Sequence, residues 1–182
     1  MEFNFPGYPV KFIQRQRCKD GSAHLFTLIY KFFSPVTRYH YIIRAEYHKE
    51  DVFAIKFYCK KDRRSDTKYS KIINKGDLGN IFNTCINLLP EILSLYPTVS
   101  FAILGARSYD PMSDKVEQST NTQRFRIYKY IATRKFGHIT FAHFEYTDIS
   151  GYMLVNRSSG NVENREREIA KMFARTYNEI PL

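Results

Sequence analysis

The sequence predicts an α+β fold in which a mostly antiparallel sheet carries about three helices packed on one face. Three observations support this prediction. The first 60 residues alternate apolar and polar side chains with a period of two, as strands do. Short turns separate these strands, and such turns join antiparallel neighbours. Further along, three segments place apolar residues at helical spacing. Because no linker, repeat or low-complexity segment interrupts the chain, residues 1–182 are expected to form a single domain.

Four strands are predicted in the N-terminal third, at residues 10–17, 23–33, 37–47 and 52–59. Their aromatic and β-branched residues favour extended backbone. Gly21 lies in the first turn, where it can adopt the positive φ that tight turns require. Together these segments predict an antiparallel meander.

The clearest helix follows Gly76. Asp77 is a good N-cap, because its carboxylate can accept hydrogen bonds from the free N–H groups of the first turn. Apolar residues recur at helical spacing over residues 78–96, and Pro90 inside this pattern is expected to kink or split the helix. The apolar run at residues 99–104 then predicts a buried strand that ends before Gly105.

The C-terminal half predicts a long loop, two helices and two strands. Residues 106–120 form the loop, and Asn121 or Thr122 caps a helix that runs to about residue 136. Strands follow at residues 139–146 and 152–156, and the last helix covers about residues 162–177.

Charge is concentrated at the two ends of the chain, whose formal net charge is +10. Residues 1–75 carry 16 basic and 7 acidic groups, residues 76–120 carry 2 and 5, and residues 121–182 carry 10 and 6. This asymmetry favours an anionic partner. No apolar run approaches the ~20 residues that cross a bilayer, and the N-terminus has no secretion-signal pattern. We therefore expect a cytoplasmic protein without a membrane partner.

Motifs that carry chemistry are scarce. The chain contains no phosphate-binding loop, dinucleotide fingerprint, zinc-protease motif or serine-hydrolase elbow. Cys18, Cys59 and Cys85 form no C-x-x-C pair, and the last two fall on apolar faces, so we expect buried thiols. His138 and His143 are five residues apart on a predicted strand, which places them on opposite faces and argues against a shared metal. We predict no catalytic residue, no metal and no cofactor.

One constellation combines basic and aromatic residues at the junction between the buried strand, the loop and the second helix. Guanidinium groups bind phosphate through paired N–H donors, tyrosine rings stack on bases, and a helix N-terminus attracts anions. The predicted anion site consists of Arg107, Ser108, Arg124, Arg126, Tyr128 and Lys129. The alternative interpretation is that these arginines anchor the loop or pair with Asp110, Asp114 and Glu117.

Two further patterns each have two interpretations. The second basic patch is either a solvated loop or a phosphate contact, and it consists of Lys60, Lys61, Arg63, Arg64 and Lys68. His143 and Glu145 lie two residues apart on one predicted strand, so they share a face. They are either an acid–base pair or exposed polar residues of an outer strand.

Several short motifs follow one another in an order that resembles small bacterial α+β domains of unknown function. They are the apolar helix with Tyr96-Pro97, the strand that ends at Gly105, and the Thr-x-Arg-x-x-x-Tyr order from Thr122 to Tyr128. The resemblance covers about residues 77–129. It implies a prokaryotic accessory protein and carries over no catalytic residue.

Three functions are consistent with these patterns. The first is a non-catalytic domain that binds nucleic acid or another polyanion through charge and tyrosine stacking. The second is a protein-interaction or homo-oligomerisation module, since helices on one face leave the other face of an aromatic-rich sheet to be covered. The third is a small metal-independent ribonuclease that works through arginine, lysine and tyrosine side chains, to which His143 and Glu145 can be added as an acid–base pair. The uneven charge favours the first.

Overall fold

The computed structural model describes residues 4–71, 75–110 and 113–177. The strands are β1 (Lys11–Arg17), β2 (His24–Ser34), β3 (Tyr39–His48), β4 (Val52–Cys59), β5 (Ser100–Leu104), β6 (Tyr109–Asp110), β7 (Lys115–Val116), β8 (Phe141–Tyr146) and β9 (Gly151–Asn156). The α-helices are α1 (Leu78–Asn87), α2 (Leu89–Leu95), α3 (Gln123–Lys135) and α4 (Val162–Thr176). No helix within the described ranges has the length and apolar character needed to cross a membrane.

Seven strands form one sheet in the order β1-β2-β3-β4-β5-β9-β8. Neighbouring strands are antiparallel, with the exception of β4 and β5, which run parallel because α1 and α2 carry the chain back between them. The α+β prediction with a mostly antiparallel sheet is confirmed. Two of the strands, β6 and β7, form a small separate hairpin within the predicted long loop.

Proline divides the first helical segment, as its position predicts. Helix α1 ends at Asn87 and α2 begins at Leu89, with Pro90 in the first turn of α2. The missing N–H of proline removes no intrahelical hydrogen bond at that position.

The two predicted helix caps have different outcomes. Thr122 caps α3, since its Oγ1 accepts a hydrogen bond from the N–H of Phe125 at 3.2 Å. The Asp77 carboxylate makes no cap bond to α1, so that prediction is wrong. It accepts instead from the hydroxyl groups of Tyr8 and Ser34, which bind it to the N-terminal segment and the end of β2.

The main hydrophobic core lies between the sheet and helices α1–α3. Alternate residues of the central strands, such as Ile43, Phe53 and Phe101, are fully buried there together with Phe82 and Phe125 from the helices. Helices α1–α3 therefore share one face of the sheet, as expected.

The last helix packs on the opposite face, so the prediction that the helices share one face is wrong for α4. Ile169, Met172 and Phe173 of α4 form a second, smaller core with Met153 and Val155 of β9. The sequence shows that α4 is amphipathic, but a helical period does not specify which face of a distant sheet the helix covers.

Strand β8 is shorter than predicted. It begins at Phe141, because residues 138–140 form a turn and Ile139 is 92% exposed. His138 therefore lies outside the strand, and its ring reaches to 4.5 Å from the His143 ring. The prediction that these two histidines lie on opposite faces of one strand is wrong for this reason.

Candidate functional site

The six predicted site residues divide between the interior and the surface. Arg124 and Tyr128 are buried, one helical turn apart on the inner side of α3. Arg107, Arg126 and Lys129 are exposed. The structure brings the two buried residues together at one cavity, and the exposed three do not join them there.

Arg124 is held by backbone carbonyl groups. Its Nη2 donates to the carbonyl oxygen of Lys71 at 2.8 Å, and its Nη1 donates to that of Tyr69. The guanidinium also lies over the Phe57 ring, 5.5 Å from the ring centre. Burial lowers the pKa of Arg124 below its usual value. The side chain thereby anchors the segment that follows β4, and not the loop of residues 106–120 that the alternative interpretation names.

Two of the exposed residues on α3 have partners nearby. Lys129 forms an ion pair with Glu145 of β8 at 2.7 Å. Arg126 donates from Nη1 to the carbonyl oxygen of Asn121 at 2.7 Å, across the first turn of its own helix. Each of these cations is therefore held close to α3.

The N-terminus of α3 is occupied by a carboxylate of the same chain. Glu117 accepts from the N–H of Gln123 at 2.7 Å and from the N–H of Ser108 at 3.1 Å. A negative charge is favourable at this position because the first turn of a helix presents free N–H groups and a positive dipole end. The sequence predicts that the helix N-terminus and Ser108 bind an external anion. In the structure they bind the carboxylate of Glu117 instead. The side chain of Asp110 lies outside the described residues.

The proposed acid–base pair is split between separate partners. His143 and Glu145 share a face of β8, as predicted, but Glu145 pairs with Lys129. The Nδ1 atom of His143 is 2.5 Å from the hydroxyl of Tyr152. Burial lowers the pKa of His143, and the positive charge of nearby His138 adds to that effect.

The second basic patch and its surroundings bring lysines and tyrosine rings together. Lys61 and Lys75 lie over the Tyr39 ring, with Nζ 4.3 and 5.1 Å from its centre. Lys68 lies over Tyr58 and Tyr69, at 4.9 and 5.3 Å. Tyr39 packs against the main core, whereas Tyr58 points to the opposite face of the sheet, so the two groups lie on different faces near the end of β4. We call them together the lysine–tyrosine surface, which consists of Lys56, Lys61, Lys68, Lys75, Tyr39, Tyr58 and Tyr69.

A buried carboxylate borders the lysine–tyrosine surface. Glu46 accepts from Lys56 at 2.8 Å and from Arg44 at 3.2 Å, so one negative charge serves two cations. Burial alone would raise the pKa of Glu46, but the two cations outweigh it and hold the pKa below the usual value. The cluster of Arg44, Glu46 and Lys56 therefore keeps a net positive charge.

Lys56, Tyr58 and Tyr69 were not predicted as part of a site, because they lie outside the runs of basic residues. Lys56 and Tyr58 alternate with buried residues of β4 and therefore point to the face opposite the main core, a pattern visible in the sequence. The spacing of Arg124 and Tyr128, four residues apart among apolar neighbours, also indicates that Arg124 faces inward. No sequence signal indicates that Tyr69 lies against Tyr58, since the segment between them has no regular period.

The cysteines and the potential metal ligands form no further candidate site among the described residues. Cys59 and Cys85 are buried, as predicted, and burial raises the pKa of both thiols. Among residues 4–71, 75–110 and 113–177, no group of three or more histidine, cysteine or acidic side chains could hold a metal ion.

Comparison with known proteins adds no relative: no family model, no curated protein and no solved structure matches this chain.

Proposed function

We propose that this protein is a non-catalytic domain that binds single-stranded nucleic acid or a similar polyanion on the lysine–tyrosine surface. One observation carries the proposal. Tyr39, Tyr58 and Tyr69 each have at least one lysine ammonium over the ring, within 5.3 Å of its centre. Stackable rings and cations therefore lie together at one end of the sheet, and this is the combination that single strands require.

The charges around these rings reinforce the proposal. Lys60, Lys61, Arg63 and Arg64 are exposed and follow one another closely after β4. Asp62, which lies among them, is already paired with Lys71 at 3.1 Å. The exposed cations consequently exceed the available carboxylates in this segment, and the excess favours association with a polyanion.

Stacking and charge would act together on such a ligand. A base that stacks on Tyr58 displaces Lys68 from the ring, and the long flexible side chain then has a phosphate within reach. Lys68 and Tyr58 are half-buried, so the cation–π interaction that is lost contributes about 0.5–2 kcal/mol. Stacking of the base on the ring, which replaces it, contributes about 1–3 kcal/mol.

Salt dependence provides the test. Fluorescence anisotropy with a labelled thymidine oligonucleotide should show affinity that falls steeply with added salt, with a logarithmic slope of about −0.7 for each phosphate contacted. The double variant Lys61→Gln/Lys68→Gln should reduce the slope by about 1.4, since it removes two phosphate contacts.

A matched control removes the same charge elsewhere. Lys171 and Arg175 are exposed on α4, so Lys171→Gln/Arg175→Gln changes the net charge equally without touching the lysine–tyrosine surface. The slope should stay as in the wild type. An equal loss in both double variants would show that net charge alone attracts the oligonucleotide, and no binding at low salt would remove the proposal.

A further variant separates stacking from charge. Tyr58→Leu should weaken binding of the oligonucleotide by roughly 5- to 150-fold, the equivalent of about 1–3 kcal/mol per stacked base. Binding of inorganic polyphosphate, which has no bases, should not change. Equal effects on both ligands would argue against stacking on this ring.

Self-association is a second candidate, favoured by the edge strand β1. All of its residues are exposed, including Phe12 and Ile13 at 50% and 44%, and β1 forms one end of the sheet. An exposed edge can pair with a second copy of the chain. Light scattering should then show a dimer that Ile13→Lys converts to a monomer, whereas a monomeric wild type at high concentration excludes this candidate.

A further inference from the structure

The pocket that contains Arg124 opens where the parallel strands β4 and β5 separate. Their pairing ends at Ile55 and Ile103, after which β4 continues to Cys59 while β5 stops at Leu104. The resulting gap has a volume of about 460 Å³ and is lined by residues from both faces of the sheet. Lys56 and Leu104, which line it, are 37% and 50% exposed, so the pocket reaches the surface. This volume is in the range of pockets that bind small molecules.

One charge in this pocket has no counterpart. Arg124 is only 4% exposed, and no carboxylate pairs with it within the described parts of the chain. A guanidinium has five N–H groups, of which two donate to the carbonyls of Tyr69 and Lys71. The buried Nε has no hydrogen-bond partner. Because a buried, incompletely bonded cation is costly, the site favours an anion that accepts from N–H groups of the guanidinium that make no hydrogen bond to the protein.

The other charged groups nearby are already engaged. Lys56 also lines the pocket, but it is paired with Glu46. Glu117 attracts Arg124 from a distance, while its two oxygens accept from backbone N–H groups at the start of α3. No acidic residue lines the pocket among the residues that the structure describes. Arg124 is thus the one lining cation, among the described residues, that has no carboxylate partner, and a single guanidinium matches the single charge of one carboxylate.

The rest of the lining is apolar or aromatic. Ile55, Phe57, Ile103, Met153 and Phe173 contribute hydrocarbon surface from both sides of the gap. Tyr128 is fully enclosed, and burial raises its pKa, so its hydroxyl group stays neutral. A ligand that fills this space therefore needs an apolar body attached to its charged end.

We infer that the pocket binds a monocarboxylic acid with an apolar body, its carboxylate paired with the guanidinium of Arg124. This site lies apart from most of the lysine–tyrosine surface, sharing Lys56 and Tyr69 with it, and the ligand is of a different class. The inference therefore goes beyond the proposed function, and neither depends on the other.

Isothermal titration with three probes tests the ligand class. Octanoate should bind with a stoichiometry of one. Octanamide has the same shape without the charge and should bind roughly 10- to 100-fold more weakly than octanoate. We expect the same loss of affinity for octyl phosphate. Tighter binding of octyl phosphate overturns the carboxylate assignment, and equal binding of octanamide overturns the role of the charge.

Variants test the position of the site. Arg124→Lys keeps the charge but loses the paired donors, so octanoate binding should weaken roughly 10-fold. Arg126→Gln, on the exposed side of the same helix, should leave it unchanged. Should Arg124→Lys fail to fold, Ala106→Phe serves instead, because Ala106 lines the pocket and a larger side chain occupies ligand space. Undiminished octanoate binding in Arg124→Lys or Ala106→Phe, or no octanoate binding by the wild type, refutes the inference.

Discussion

The buried histidine of β3 makes a quantitative prediction about stability. His48 has no exposed surface, and its Nδ1 is 2.8 Å from the carbonyl oxygen of Glu46, which can only accept a hydrogen bond. The Nδ1 atom therefore carries the proton, and Nε2 accepts from the Tyr177 hydroxyl at 2.6 Å. The native structure thus holds the neutral form of the ring.

Burial is the main cause that lowers the pKa of His48, from 6.5 to about 4. The charges of His24 and Lys56 lower it further, while Glu46 raises it. An unfolded chain takes up a proton on this histidine below about pH 6.5, whereas the folded chain does so only near pH 4. The neutral ring therefore stabilises the fold fully above pH 6.5, and this stabilisation is lost as the pH falls towards 4.

The magnitude follows from the shift. A difference of about 2.5 pKa units, at 1.36 kcal/mol per unit, corresponds to about 3 kcal/mol of unfolding free energy. Between these two pKa values the stability of the wild type should fall by up to about 1.4 kcal/mol per pH unit from this group alone.

Urea unfolding at several values between about pH 7.5 and about pH 4.5 measures this effect. The variant His48→Gln can keep both hydrogen bonds but does not titrate, so its free energy of unfolding should depend less on pH by about 2.5 kcal/mol over this range. His40→Gln on the same strand is exposed and should behave as the wild type. If His48→Gln loses as much stability on acidification as the wild type, the assignment of a neutral buried ring is refuted.

Two backbone predictions concern turns and close approach. Arg38 has a φ of 62°, so Arg38→Gly should raise the free energy of unfolding by about 1 kcal/mol in urea melts, and a decrease would contradict backbone strain there. At Gly105, an added Cβ would lie 2.7 Å from the backbone nitrogen of Phe125, so Gly105→Ala should destabilise by about 1–3 kcal/mol. Gly137→Ala meets nothing within 4 Å and should change little; equal effects of both alanines would contradict the clash.

The fold was predictable where local pattern decides the outcome. The alternation in β2, β3 and β4 and the helical period of α1 are properties of neighbouring residues, and they remain valid whatever packs against them. The split at Pro90 follows from the missing N–H of one residue. Thr122 could be recognised as a cap because capping joins residues only three apart.

The candidate site was predictable only in its residue types. Basic and aromatic side chains were identified around α3 and after β4, but their partners come from distant parts of the chain. Arg124 bonds to the carbonyl of Tyr69, which is 55 residues away, and Lys129 pairs with Glu145. No local pattern specifies such pairs, because they depend on how the strands and helices are arranged in three dimensions.

The sequence by itself determined the helices, the central strands, the basic character and the burial of two of the thiols, but not the β6–β7 hairpin or the start of β8. Tertiary structure decided which face of the sheet α4 covers, and it placed Arg124 in the interior without a carboxylate. It also created the pocket beside the end of β5, where β4 continues beyond the last residue that pairs with β5. Local periodicity fixes the elements, whereas the distances between side chains on different elements arise only when those elements pack.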